Sequence, residues 1–459
     1  MARFPLIAMG CMKCRIISKG SPLVWLCVFL PLIRSENTAS ANGIYGNGIG
    51  ADAMSMGGAE VAWAADPLSA MTANPAGLGF LSKPEIDLGA EGAVLEGNFS
   101  KAGSGGGLDS SLNALPEGAF AYPLKQIPLT FGISVAPQAA LLANWHYNDP
   151  PGGLGDVSYG YQQDKSEILL LRSALGVGWQ INSQLSIGAS AGLLYNENEL
   201  VAPYIFQDVQ SPTVPNPANG AKTLLNLRTT GFGGDATVGI LFRATTNLQF
   251  GAFYQSESII NSTGNASGNP YAQLPGVSAF HYDAEVKNKF PQNASAGVSW
   301  GFLPKFRISA QVDWIDWAHA FDTLHIGMSN GNNPNLYGPG TLGASFRDNF
   351  PLNWSSEFVY RVGLEYDVTE NLSLRLGYCY GSSPVPDATL TPMTAAITEH
   401  TITAGAGYHW GRYKVELAYQ YYLPATQNIG QSGLLSGEYS NSSTTVSAHV
   451  VALTTGFTF

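Results

Sequence analysis

From residue 84 onward, apolar and polar positions alternate with a period of two, the pattern of strands whose two sides face different surroundings. In SEILLLRSALGVGWQI (166–181), Leu169, Leu171, Leu175, Val177 and Trp179 share one face. Arg172, Ala174, Gly176, Gly178 and Gln180 share the other. In LRTTGFGGDATVGILF (227–242), Phe232, Ala236, Val238, Ile240 and Phe242 alternate with small or polar residues that include Asp235 and Thr237. In EFVYRVGLEYD (357–367), Phe358, Tyr360, Val362, Leu364 and Tyr366 oppose Glu357, Arg361, Gly363, Glu365 and Asp367. A soluble sandwich also alternates, but it does not set charges on the inner face and aromatics at the outer ends of strand after strand. A barrel with a polar lumen and a lipid-facing belt does both.

The pattern predicts fourteen strands, near 85–96, 117–124, 128–142, 166–181, 184–197, 223–243, 247–259, 284–302, 306–315, 355–367, 371–381, 398–410, 412–422 and 447–459. An even number suits a closed antiparallel barrel. Connections alternate in length. INSQ, TTN, LPK, VTEN and GR are short, whereas 143–165, 198–222, 260–283, 316–354, 382–397 and 423–446 are long and polar or rich in glycine and proline. The chain ends VVALTTGFTF, with Val451, Leu453, Thr455, Phe457 and the final Phe459 on one face.

Composition agrees. Only 12% of residues are charged, about half the ~25% usual for soluble domains, and mean hydropathy lies near zero. No other apolar run is long enough for a helix to span a bilayer. At the N-terminus, Arg3, Lys13, Arg15 and Lys19 precede the apolar PLVWLCVFLPLI (22–33) and the small-residue site Ala39-Ser40-Ala41. This reads as an export signal over 1–41, cleaved before Asn42; an uncleaved N-terminal anchor is the alternative. Its removal takes five of 22 basic and one of 33 acidic residues, leaving a charge of −15. Nucleic acid is therefore not an expected partner. Cys379 is the one cysteine left, so neither an internal disulfide nor a thiolate metal site is expected.

Residues 42–83 break the alternation. This stretch of Gly, Ala, Met and small polar residues cannot form its own core, but it can fill one, and it reads as a plug within the barrel spanning 84–459. A helical turn or two is expected over Gly58–Ala65. Asn74-Pro75-Ala76-Gly77 marks a turn, because proline removes an N–H and pushes the preceding residue out of the helical region.

The plug, DPLSAMTANPAGL (66–78), the fourteen strands, FPQNASAGVSW (290–300), VDWIDW (312–317) and LRLGYCYGSSPVPD (374–387) together resemble the FadL/TodX family of outer-membrane transporters. The resemblance covers essentially the whole mature chain. Asn74, Pro75 and Ala76 match the family's hatch motif, and Asp66 and Gly57-Gly58-Ala59 match the small-residue pattern before it. The resemblance implies an all-β, 14-stranded transmembrane barrel with an N-terminal hatch, in the outer membrane of a Gram-negative bacterium. It implies passive uptake of hydrophobic compounds, long-chain fatty acids or hydrocarbons, with release sideways where the third strand kinks inward. The ending at Phe459 resembles the signal read by the outer-membrane assembly machinery. The expected partners are hydrophobic small molecules, outer-membrane lipids and that machinery; a monomer suffices.

Residues suggest handles for each step. Pro137 falls inside the third strand, where a proline removes a ladder donor. Pro137-Gln138 marks either a lateral opening or simply the strand's end. ALLANWHY (140–147) reads as a capture surface or as a packed loop helix. Ile44, Tyr45, Met54 and Met56 are pocket candidates, although core filling explains them equally. Arg361 and Arg375 point inward by parity, either as anchors for a carboxylate or as members of an ion-pair network joining lumen and plug. Catalysis is not expected. GASAG (188–192) would place Ser190 as a nucleophile, but the motif needs a strand–turn–helix elbow and here it lies within a strand. Asp316/His319 and Asp322/His325 have ligand-like spacing, yet no cysteine supports a metal, and no metal or cofactor is expected. A general diffusion porin is the alternative function, with an outer-membrane lipase behind it; the plug argues against the porin.

Overall fold

The computed structural model describes residues 43–212, 214, 219–337 and 341–459. The expected export signal over 1–41 and Asn42 lie outside the described residues. Fourteen strands form the wall: β1 Glu85–Lys101, β2 Leu112–Pro123, β3 Leu129–Asn148, β4 Tyr161–Gln180, β5 Leu185–Ile205, β6 Lys222–Arg243 and β7 Leu248–Gln255. They continue as β8 Asn293–Leu303, β9 Phe306–Ile315, β10 Glu357–Asp367, β11 Leu372–Gly381, β12 His400–Trp410, β13 Tyr413–Ile429 and β14 Ser442–Thr458. Each pairs antiparallel with the next, and β14 pairs with β1 along its whole length, from Glu85↔Thr458 to Lys101↔Ser442, which closes the barrel.

Closure joins the last strand to the first, so the backbone groups of the paired stretches find partners without water. No helix among the described residues is long and apolar enough to cross a membrane; the strands do so. Leu175, Val238, Leu364, Leu376, Leu417 and Leu453 are exposed on the outer face. Above and below them run aromatic girdles, with Phe232, Tyr254, Phe358 and Tyr419 toward the long connections and Trp179, Phe242, Trp300 and Trp410 toward the short ones. Phe232 and Phe242 lie ten positions apart on β6. At ~3.3 Å per residue and a ~45° tilt that is about 23 Å of height, close to the ~25 Å apolar band of outer-membrane barrels.

Fourteen strands are present as predicted, and several, such as β3, β4 and β5, run further at the long-loop end than the alternation suggests. The expected strand 284–302 is instead two: Phe280–Phe290 outside the wall and β8 Asn293–Leu303 within it, separated at Pro291-Gln292. Beyond the membrane the belt is not required, and polar strands such as Ser258–Asn269 and Phe280–Phe290 continue the sheet as an outer hairpin. ALLANWHY is neither loop nor helix. It is the upper half of β3, paired with β4 up to Asn148↔Tyr161.

Residues 43–83 fill the lumen. They form α1 Ala51–Ser55, α2 Pro67–Thr72 and a 3-10 turn Pro75–Phe80. The helical turns flank Gly58–Ala65 rather than occupy it. Gly57 and Gly58 take positive φ (67° and 78°), which breaks the helix after α1. α2 starts where Asp66 caps it: the carboxylate accepts from Ser69 N (2.8 Å), with Pro67 at the first helical position.

Candidate functional site

The hatch motif explains itself once seated. Asn74 is fully buried. Its Oδ1 accepts from Ala76 N (3.1 Å), fixing the turn, while its Nδ2 donates to Val61 O (2.7 Å) and to Ile240 O of β6 (3.1 Å). One side chain thus folds the plug and ties it to the wall. Pro75 offers no N–H to satisfy at the turn's first position. The wall answers with glycines at inward positions. A Cβ on Gly178, Gly188, Gly239 or Gly251 would lie 2.3 Å or less from Gly79 N, Pro75 C, Asn74 Oδ1 and Val61 O respectively. Gly363 and Gly377 receive Met56 and Gly57 in the same way. The plug backbone therefore packs directly on five strands, and the side chain of Asn74 on a sixth.

Charges lock the opposite side. Arg361 on β10 bonds Asp313 of β9 through Nε (2.5 Å), and Asn47 Oδ1 (3.0 Å) and Gly57 O (3.2 Å) of the plug through Nη1. Arg375 on β11 meets Asp52 of the plug (2.8 Å), Glu365 (2.7 Å) and Glu416 (3.2 Å). Lys414 on β13 meets Asp66 (3.3 Å), Glu85 and Asp87. Asp52, Asp66 and Glu416 come within 4.8 Å of one another, and these two cations face them. Sequence reading gave the inward Arg361 and Arg375 but passed over Lys414. Its parity with Glu416 and Gln420 on β13, against Val415 and Leu417, carries the signal.

Above the plug lies a cavity of about 330 Å³. Ile44, Tyr45, Met54 and Arg361 line it, together with Leu141, Ile315 and Ile397. Met56 and Arg375 do not. Met56 is buried against Gly363, and Arg375 lies in the ionic cluster by the short turns. Tyr45 packs at a tilt against the fully buried Trp317 (centroids 5.1 Å apart), whose Nε1 donates to Glu357 (2.9 Å). Outward, Tyr204, Phe206, Tyr282 and Phe346 pack edge to face across the lumen.

The cavity reaches the wall at β2 and β3. Their pairing ends at Gly118↔Val135. Above it, β3 bulges at Gln138, where the register with β4 shifts between Pro137 and Ala139, and Ala140 N turns inward to donate to Ile44 O of the plug (3.0 Å). The upper end of β3 pairs instead with Ser104–Leu108, a return of the β1 hairpin, at Leu108↔Trp145 and beyond. Between these rungs Asn113 and Leu115 on β2 and Gln138 through Leu142 on β3 border the cavity without pairing to each other. Pro137 therefore marks an interruption inside a strand, not its end. The unpaired edge of β2 was not legible in the sequence, because alternation does not say which neighbour a strand pairs with.

Other candidates resolve locally. Ser190 sits in mid-β5, its hydroxyl sharing a bond with Thr237 (2.6 Å) and accepting from Arg172 (3.0 Å). His325 bonds Asn349 (2.7 Å), and exposed His319 faces Glu257 (3.3 Å). Phe459 rests on the outer surface, edge to face with Phe120 and Phe457.

Similar folds are found among solved structures. A Pseudomonas aeruginosa FadL homologue aligns with a TM-score of 0.69 at 16% identity, covering 90% of this chain and 99% of that one. The Ralstonia pickettii toluene transporter TbuX aligns at 0.68 and 19%, with the same coverage. The Pseudomonas putida toluene transporter TodX aligns at 0.69 and 17%, again over 90% and 99%. No curated protein matches by sequence. The sequence model of the outer membrane protein transport protein family (OMPP1/FadL/TodX) matches residues 34–459, and with its closed, plugged barrel of fourteen strands the chain belongs to this family of outer-membrane transport proteins.

Proposed function

We propose that the protein takes up hydrophobic compounds passively across the outer membrane, down their own gradient, and releases them sideways between β2 and β3. The observation that carries this reading is the cavity bordered on one side by plug residues and on the other by the unpaired edges of β2 and β3. An apolar molecule gains ~25 cal/mol per Å² by leaving water, so a path from the cavity into the lipid avoids the aqueous far side. The bulge at Gln138 holds β3 away from β2, and Ile44 and Tyr45 of the plug stand beside it. Movement of the segment 43–83 would join cavity and opening, which is the role assigned to Asn74, Pro75 and Ala76 as the hatch's fixed end. A porin requires an open polar lumen; here the plug fills the cross-section with buried residues.

The test is uptake into liposomes of alkanes, monoaromatics and long-chain fatty acids by wild type and by a variant combining Pro137→Val with deletion of Gln138, which restores the β3–β4 register. Saturable uptake of apolar compounds that falls at least five-fold in the variant is expected. Free passage of small sugars with no apolar uptake would return the reading to a diffusion porin.

A further inference from the structure

The cavity's polar lining is one-sided. Arg361 is the one cation lining it among the described residues, and Asp313, Asn47 Oδ1 and Gly57 O hold its Nε and Nη1. Asp313 supplies negative charge to the same lining, and Glu60 and Glu91 add two further carboxyl groups. An ionised carboxylate brought there would have to share a cation already paired with Asp313, and burying an incompletely paired carboxylate is strongly unfavourable.

Among the described residues that line the cavity, the buried side-chain groups without a hydrogen-bond partner are all oxygens. Glu60 is 1% exposed, and neither carboxyl oxygen has a hydrogen-bond partner. Gln138 Oε1 on β3 and Gln420 Oε1 on β13 are likewise buried without one. Gln420 is held in this orientation because its Nε2 donates to Asn47 O (2.7 Å) and Met54 O (2.9 Å). All three residues line the cavity, one from the plug and two from different strands. Buried oxygens of this kind are costly until a donor reaches them. Burial, reinforced by the charges of Asp52 and Asp66, also holds the Glu60 carboxyl well above the usual carboxylate range.

We propose that this cavity selects an uncharged, mainly apolar compound carrying a hydroxyl group, a phenol or alcohol, and discriminates against carboxylates, with Glu60 as the residue that recognises the hydroxyl. The inference rests on the uptake reading above and narrows its cargo. A site built around unpaired buried acceptors rejects an analogue that lacks the donor far more strongly than an apolar pocket rejects a small change of size.

The experiment is calorimetric binding at pH 7 to the detergent-solubilised protein of four ligands of matched size: p-cresol, p-xylene, 4-methylanisole and p-toluate. The expected result is p-cresol tightest, at least ten-fold tighter than 4-methylanisole, with p-toluate weakest. Glu60→Leu should narrow the p-cresol to 4-methylanisole ratio to below three-fold while leaving p-xylene within three-fold of wild type. The wild-type series is decisive by itself should that variant not fold. Affinities of p-cresol, 4-methylanisole and p-xylene within three-fold of one another, or p-toluate binding tightest, overturn the inference and leave hydrophobic uptake standing. Failure of all four to bind overturns both.

Discussion

Replacing Asn74 by alanine isolates the tie between plug and wall. Asn74→Ala removes an acceptor for Ala76 N–H and the donor to Val61 O and Ile240 O, all within a fully buried site. The side chain shrinks, so no new clash arises. Ala76 N–H and Val61 O are then left without partners, at roughly 1–2 kcal/mol each, and the plug's docking weakens by about 2–4 kcal/mol. At 1.4 kcal/mol per decade this is a roughly 30- to 1,000-fold larger open population. The assay is amide hydrogen exchange by mass spectrometry in nanodiscs. Peptides from residues 61–80 should exchange faster by that factor, while β4, β5 and β6 stay within three-fold of wild type. Unchanged exchange in 61–80 would show that the glycine seat alone holds the plug. Equal acceleration throughout the wall would show that Asn74 supports the barrel and not its filling.

Three further outcomes follow from other contacts. Gly239→Leu places atoms where Asn74 Oδ1 now sits, 2.0 Å from the Cβ position; it should displace the motif and raise single-channel conductance in planar bilayers, and a wild-type conductance would contradict this seat. Arg361→Met strands Asp313 in the lumen and should cost about 3–5 kcal/mol, read as a lower thermal midpoint that Asp313→Asn partly restores; no shift in midpoint would remove the pair from the plug's anchorage. In the outer loop 430–441, burial, with Asp149 adding to it, pushes Glu438 up to about 7 even with Lys222 at 3.0 Å and Lys101 nearby. Its folded value exceeds its unfolded one, so the stability it contributes is full below about pH 4.5 and is lost as pH rises through 7. Trypsin should therefore cut at Lys222 faster at pH 8 than at pH 6 after correction for protease activity, and Glu438→Gln should flatten the difference; a wild-type rate that is flat or falls with pH would reject this.

The wall was readable from the sequence because lipid enforces a strict period. Leu175, Val177 and Trp179 on β4, and Val238, Ile240 and Phe242 on β6, have water on neither side of their choice. Where the constraint lifts, legibility lifts with it. The expected strand 184–197 stops at Glu197, yet β5 runs on through Asn198 to Ile205; Asn198 is bonded to Asn196 and Thr229, and no apolar alternation marks it as strand. The plug carried no period at all, and its helical turns fell on either side of the expected stretch because Gly57 and Gly58 break the helix there. Inward parity identified Arg361 and Arg375, yet their partners Asn47 and Asp52 are more than 300 residues distant, which no local pattern reports. Glu60, one acidic residue in a run of small ones, gave no sign of being buried and unpartnered.

The glycine seat also bears on how the molecule is assembled. Six strands approach the plug so closely that the side chain of even an alanine would not fit at the contacts. A finished cylinder with that little clearance does not admit a folded segment by threading. The plug must be in place, or at least lying along the growing sheet, before the seam between β1 and β14 is joined. Chain order suits this, since residues 43–83 emerge ahead of β1 and the seam's second half comes last. The plug is then the former around which the sheet curls, and a chain lacking it would have to close around water, with the charges of Arg361, Arg375 and Lys414 facing an empty lumen.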